Sequence, residues 1–252
     1  MKGAESADRA PGVAVVSGAA TGIGRAVTAR LIASRPGEVV VVGRRPDRLA
    51  ALADQLGSRI VAVAADLSEP DGARRVLTAV DGRTVDVLVN NAGGNVDPHR
   101  VQELDALADA WQANLRANVL PVVLLTHALL PLLARPGGRI VTVGSVAAVR
   151  GPATYGGAKA ALHPWSAELA AQLARDQITV NLVAPGYVTD TEFYGDRMSA
   201  ELHADRSSRS PMNRGATPDE VAATVCHLAG PEAGFITGQV VHINGGALLA
   251  RA

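Results

Sequence analysis

Tyr155 and Lys159 are the residues whose types and spacing point most directly to chemistry. The spacing Tyr-x-x-x-Lys puts both side chains on one face of a helix, one turn apart. An ammonium beside a phenol favours the phenolate. Moving a tyrosine from its ordinary pKa of about 10 to about 7 takes roughly 4 kcal/mol. One charge about 4 Å away, at an effective dielectric near 20, supplies about that much. The expectation is a Tyr155 lowered by Lys159 and able to act as general acid or base at neutral pH. Lysine occurs only at Lys2 and Lys159, and every other basic residue is arginine. A compact, rotatable ammonium is thus kept beside this tyrosine, where guanidinium is not interchangeable with it. Ser145, earlier in the same stretch, is the accompanying hydroxyl.

A second group of residues suits a phosphate. An apolar run ends in Ser17-Gly18-Ala19-Ala20-Thr21-Gly22-Ile23-Gly24, and a helical pattern follows. Glycines at such a turn let the backbone approach a pyrophosphate, which rests on the free N–H groups of the helix start. Gly18, Thr21, Gly22, Ile23 and Gly24 are therefore expected to hold a dinucleotide. The turn lacks the Gly-Lys-Ser/Thr ending of a nucleoside triphosphate loop. The next apolar run ends in Gly43-Arg44-Arg45. NAD-binding domains carry an acid about 20 residues beyond the glycines to accept the ribose hydroxyls. Here two guanidiniums follow instead, a bidentate match for the 2′-phosphate of NADP(H). NAD(H) is the lesser alternative.

The elements that must position these groups are legible in the hydrophobic pattern. Strands are expected at Val13–Ser17, Val39–Val42, Ile60–Ala64, Val85–Val89, Arg139–Val143, Thr179–Val183 and Val240–Ile243. Most are apolar without alternation, as in strands buried on both faces of a parallel sheet. Helical segments lie between them, including Gly24–Ser34, Arg48–Leu56, Ala73–Val80 and Ala158–Ala174. The alternation predicts an α/β fold, a doubly wound Rossmann-type parallel sheet of about seven strands with helices on both faces, in a single domain over residues 12–252. Residues 1–11 read as a flexible, polar N-terminal tail rather than a signal peptide.

Composition narrows the function. The 252 residues carry 24 basic and 24 acidic side chains, which gives no pull toward nucleic acid or an anionic membrane. No uninterrupted apolar run reaches membrane length; Val119 to Ala134 contains His127 and two prolines. One cysteine, Cys226, excludes an internal disulfide and agrees with a cytoplasmic protein. The six histidines show no metal-ligand spacing, so no metal is expected.

Taken in order, Gly18-x-x-x-Gly22-x-Gly24, Asp66-Leu67, Asn90-Asn91-Ala92-Gly93, Asn118, Ser145, Tyr155-x-x-x-Lys159, Pro185-Gly186 and Ile243-Asn244-Gly245-Gly246 resemble the short-chain dehydrogenase/reductase family. The resemblance spans essentially the whole chain after Pro11 and is nearest to bacterial 3-oxoacyl-carrier-protein reductases and related polyketide or xenobiotic ketoreductases. It implies that Tyr155 exchanges the hydroxyl proton, Lys159 lowers its pKa and holds the nicotinamide ribose, and Ser145 bonds the substrate oxygen. Asn118 would anchor a proton-refilling water chain; the family spacing selects it over Asn114. Asp66 and Leu67 would flank the adenine, Asn91, Ala92 and Gly93 would pack on the adenosine ribose, and Pro185, Gly186 and Val188 would line the nicotinamide. A homotetramer would form through helices Trp111–Leu133 and Ala158–Ala174 and the last strand.

Two departures from the family pattern stand out. Val146 to Thr154 is shorter than usual, which leaves Thr142 at the family distance from Tyr155; Ser145 is preferred because Thr142 falls inside a strand. After Gly186, Thr189 and Thr191 both compete for the carboxamide. Residues 190–212 read as a cap that carries Phe193, Tyr194, Met198 and Leu202, equally a substrate lid or simple packing. The stretches Leu133–Gly137 and Ala174–Gln177, where carrier-protein reductases gather positive charge, keep one Arg each, beside Pro136 and Asp176. A free or thioester-mimic ketone is therefore expected to be reduced nearly as well as its carrier-linked form, with Arg206, Arg209 and Arg214 of the cap as the alternative basic patch for a carrier. The whole reads as an NADP-dependent ketoreductase acting on a small-molecule carbonyl. The alternatives are an NAD-dependent alcohol dehydrogenase and a non-catalytic dinucleotide-binding protein.

Overall fold

The computed structural model describes residues 12–96 and 103–249. The expected tail over residues 1–11 lies outside the described residues. The elements run β1 Val13–Ser17, α1 Gly22–Ser34, β2 Val39–Gly43, α2 Pro46–Leu56, β3 Ile60–Ala64, α3 Pro70–Val80, β4 Val85–Asn90, α4 Leu104–Asn118, α5 Leu120–Leu129 and β5 Arg139–Val143. They continue with α6 Ala147–Arg150, α7 Ala153–Leu173, β6 Thr179–Pro185, α8 Ala200–Ser208, α9 Pro218–Leu228 and β7 Val240–Ile243. All seven strands pair in parallel in the order β3-β2-β1-β4-β5-β6-β7.

The strands form where β-branched residues run together, because both faces of each are covered. Successive side chains point to opposite faces. Val13, Val15, Val40 and Val42 pack with Val76, Leu125, Leu129 and Leu169 on the face of α3, α5 and α7. Ala14, Val16, Val39 and Val41 pack with Val27, Leu31, Leu49, Leu52 and Val225 on the face of α1, α2 and α9. Each such valine or leucine, when fully buried, contributes about 1.5–3 kcal/mol.

Several helices start earlier than the apolar periodicity alone places them. Pro46, Pro70 and Pro218 sit in the first turns of α2, α3 and α9, where the absent N–H has no partner to lose. Thr217 and Glu220 close a capping box on α9. The expected single helix Trp111–Leu133 is two, α4 and α5, which meet at Val119 with Pro121 opening the second. By length and composition alone the run Leu104–Leu132 suffices to cross a membrane, at a mean hydropathy of 1.5. Its second half, α5, packs on β4 with Leu125 and Leu129 in the core, while α4 packs on α7. Gly157 of α7 lets α4 come close, since a Cβ there would run into the Trp111 ring.

The strand order reverses between β1 and β4. A doubly wound sheet binds its ligands beyond the carboxyl ends of its strands, at that reversal. A cleft of about 1920 Å³ opens there, lined from Gly18 after β1, Arg44 after β2 and Asp66 after β3 across to Ser145 after β5 and Gly186 after β6. Ligand pockets usually run about 300–1,000 Å³, so this one has room for a dinucleotide and a second molecule.

Candidate active site

At the β1 end, Gly18 and Gly22 take φ of 63° and 51°, which L side chains rarely adopt. A Cβ on Gly24 would collide with the Gly18 carbonyl oxygen. The turn is therefore a cradle that any side chain would fill. Helix α1 begins on it with no acid in its first turn and no side-chain cap from Thr21, which leaves its first amides to serve an anion. Ser17 Oγ accepts from the Asn91 and Ala92 backbone amides, each at 3.0 Å. Asn91 Nδ2 donates back to the Ser17 and Gly18 carbonyls at 3.1 and 3.0 Å. These four bonds lock the end of β4 to the glycine turn. The residues present fit a pyrophosphate.

Toward β2 and β3, Arg44, Arg45, Asp66 and Leu67 all line the cleft. The Asp66 carboxylate accepts from the Ser68 amide at 2.9 Å and its hydroxyl at 2.8 Å. These bonds, with smaller help from Arg44 and Arg116, hold its pKa below the ordinary value. Arg45 is engaged by the cap, its guanidinium 2.7 Å from Glu192.

At the far end stand Ser145, Tyr155 and Lys159, which line the same cleft. Helix α7 starts at Ala153 and carries Tyr155 and Lys159 on one face, both buried. Thr142 is fully buried inside β5, whereas Ser145 follows the strand's end, its Oγ accepting from the Ala147 amide at 3.1 Å. Burial pushes the Tyr155 phenol up to about 12, opposed in part by a hydrogen bond with Ser145. Burial also pulls Lys159 down to about 8. This reverses the expected lowering of Tyr155 by Lys159. The amine donates to the Val143 carbonyl at 3.0 Å, and desolvation outweighs any help it gives the phenolate.

Asn118 is fully buried and stands behind the cleft wall rather than in it. Its side chain donates to the Gly94 and Asn114 carbonyls at 2.8 and 3.0 Å and accepts from the Gly94 amide at 3.0 Å. Gly93 lies between it and the amine, for a Cβ on Gly93 would press on Asn118 Oδ1 and Lys159 Nζ. Asn114 instead donates to the Ala110 carbonyl at 3.1 Å and to the Thr154 hydroxyl at 3.3 Å.

Beyond β6, Pro185, Gly186 and Val188 line the cleft. Of the two competing threonines, Thr191 lines it, while the Thr189 hydroxyl donates to Asp190 at 2.9 Å. The cap then folds over, and Phe193 sets its ring 5.6 Å from that of Tyr155. The cleft brings together every residue expected at the site except Gly24, which lies beneath the turn, and Asn118. Sequence reasoning missed Ser17 and the contacts made by Glu192 and Phe193. Each acts across long sequence separations and carries no local signal. Among the described residues no three His, Cys, Asp or Glu side chains gather as a metal site.

A parallel doubly wound sheet with a glycine cradle at its reversal and a Ser, Tyr and Lys group beyond β5 defines a short-chain dehydrogenase/reductase, and the chain belongs to that family. It is an oxidoreductase of the ketoreductase type. Residues 18–247 match a family model described as enoyl-(acyl carrier protein) reductase. The chain is 36% identical over 241 residues to Nodulation protein G of Rhizobium sp. (strain N33), which covers 92% of this chain and 95% of that one. It is 32% identical over 240 residues to the 3-oxoacyl-(acyl-carrier-protein) reductase FabG of Vibrio harveyi, covering 93% and 96%. The crystal structure of a short-chain dehydrogenase from Burkholderia cenocepacia in complex with NADP superposes with a TM-score of 0.81 at 36% identity, covering 93% of this chain and 96% of that one. A Serratia marcescens short-chain dehydrogenase/reductase mutant does so at 0.83 and 33% identity, covering 94% and 97%.

Proposed function

We propose that the protein reduces a ketone to a secondary alcohol with NADPH, Tyr155 giving the proton. The observation that carries this reading is that one cleft joins a protonated, buried phenol beside Ser145 to a pair of guanidiniums, Arg44 and Arg45, at its other end. A phenol whose pKa is about 12 is in its donor form throughout the neutral range, as reduction requires. The NADP named with the Burkholderia cenocepacia relative supports the phosphate reading of the arginines. Bound NADPH supplies the hydride to the carbonyl carbon. The Ser145 hydroxyl donates to the carbonyl oxygen, and Tyr155 transfers its proton there as the C=O electron pair moves onto oxygen. Lys159 would hold the ribose, and Thr191, which lines the cleft, is the threonine that would meet the carboxamide. Asn118 is a positioning residue that holds Gly94 through two hydrogen bonds, next to the Gly93 that abuts Lys159.

A free ketone is expected to be reduced nearly as well as its carrier-linked form. Arg135, one of the two arginines available to an acidic carrier, is spent on Asp176 at 3.0 Å and on the Leu130 and Leu133 carbonyls. Assembly is a homotetramer. Leu104, Leu107, Trp111 and Leu115 line one exposed face of α4 at helix spacing, and β7 is an edge strand.

The test is NADPH oxidation by the purified chain with free ketones, a 3-oxoacyl thioester and an enoyl thioester. Turnover of the carbonyl substrates supports the reading. Turnover of the enoyl thioester alone would transfer the chemistry to a carbon–carbon double bond and overturn it.

A further inference from the structure

The cap assembles an unusual share of the chain's few rings. Aromatic residues are only 3% of the sequence, yet Tyr155, Tyr187, Phe193 and Tyr194 gather at the substrate end of the cleft. Phe193 lies 5.6 Å from the Tyr155 ring and 5.0 Å from that of Tyr194, edge-on to the latter. Tyr187 packs 5.9 Å from Tyr194. A carbonyl at the Tyr155 hydroxyl must lay its substituent along this wall, and flat π surfaces suit such edges and faces best.

The same wall ends in positive charge. Arg150, Arg197, Arg206, Arg209 and Arg214 line this end of the cleft. Asp205 holds Arg209 at 2.7 Å and Glu220 holds Arg214 at 2.6 Å. Arg150 and Arg197 each spend a donor on a backbone carbonyl, of Ala247 and Phe193 respectively. Arg206 lies over the Tyr194 ring, 5.8 Å from its centroid. Its Nε is buried without a hydrogen-bond partner, and its nearest carboxylate, Asp205 at 4.0 Å, is the one that holds Arg209. The Arg206 side chain is about one-third exposed, at 34%, and apart from that shared contact its guanidinium has no acceptor among the described residues, so an anion in the cleft suits it.

We infer that the substrate is a ketone on a flat aromatic body that bears a carboxylate or another compact anion. The carbonyl sits at Tyr155, the ring against Phe193 and Tyr194, and the anion at Arg206. The inference rests on the ketoreductase reading above and names its substrate class. The electron balance is that of the ketone reduction already given: NADPH is oxidised, the carbonyl carbon gains hydride and its oxygen gains a proton.

The test uses the full chain with NADPH and three ketones: acetylnaphthoate, its neutral methyl ester, and levulinate as an aliphatic anion; acetoacetyl-CoA is the fourth arm. Acetylnaphthoate is expected to exceed its ester in kcat/KM by about 30-fold, worth about 2 kcal/mol. It is expected to exceed levulinate by about 10-fold or more. Arg206→Gln brings the first ratio close to unity through KM, and Phe193→Ala does the same to the second. A melting curve shows whether each variant is folded, and the parent ratios test the inference without any variant. An ester reduced as well as the acid, or levulinate or acetoacetyl-CoA as the best substrate, overturns the inference and leaves the ketoreductase reading standing. If no arm oxidises NADPH, both fall.

Discussion

Glu192, in the segment that covers the cleft, lies 2.7 Å from the Arg45 guanidinium and 3.8 Å from that of Arg48. The cap thus places a carboxylate where the cofactor's 2′-phosphate is expected to bind. All three side chains are about half exposed, so the ion pair is worth at most about 1 kcal/mol. Phosphate and carboxylate compete for one guanidinium. Glu192→Gln is therefore expected to tighten NADPH binding by up to about 5-fold and to leave NADH binding within about 2-fold. Fluorescence titration of both cofactors measures this. Equal gains for both would show that the change acts through the loop and not through the phosphate.

Arg44, which also lines the cleft, is the other guanidinium proposed for that phosphate. Arg44→Asp removes a phosphate partner and installs a ribose acceptor, so the preference is expected to move from NADPH toward NADH. Kinetics with both cofactors on parent and variant decide. A parent that already binds NADH more tightly contradicts the arginine reading.

Lys159 makes a prediction about stability. Its pKa falls from 10.5 to about 8 on folding because the amine is buried. Below about pH 8 the unfolded chain and the folded chain both carry the proton, and the folded state bears the full desolvation cost. Between about 8 and 10.5 the unfolded chain binds more protons, so stability rises with pH there. The shift corresponds to roughly 3 kcal/mol as an upper figure. Lys159→Met is expected to melt above the parent at pH 7, with the gap closing as pH climbs through that window, while ketone reduction is lost. A variant that melts below the parent at pH 7 would show that the buried ammonium is compensated.

The exposed apolar face of α4 predicts the assembly. Leu107 and Leu115 are 37% and 39% exposed, one helical stripe with Trp111 between them. Replacing both with Glu is expected to split the proposed tetramer, as sedimentation at micromolar concentration reports. A monomeric parent contradicts the assignment.

The fold was legible because valine runs buried on both faces admit little but a parallel sheet, and each expected strand forms within two residues of its reading. Helix starts were misplaced at Pro46 and Pro70, where proline opens a helix that periodicity detects only a turn later. The cleft residues were legible as motifs because most follow strand ends, while Tyr155 and Lys159 keep helix spacing on α7. The ionisation of Tyr155 was not. Spacing supplies the neighbouring Lys159, but only the packed structure supplies the desolvation that outweighs it and the Val143 carbonyl that takes the amine. The Ser17–Asn91 lock and the Phe193–Tyr155 contact join residues far apart in sequence, and no local pattern marks them.

In the proposed reaction the buried Tyr155 phenol is the proton donor. The most direct measurement is the single-turnover rate of ketone reduction by Tyr155→Phe, alongside a titration of its NADPH affinity. The ring and its packing on Phe193 remain while the hydroxyl goes. The expected rate is lower by about 100-fold or more, with NADPH binding kept within about 3-fold. A variant that reduces the ketone at near the parent rate would contradict it.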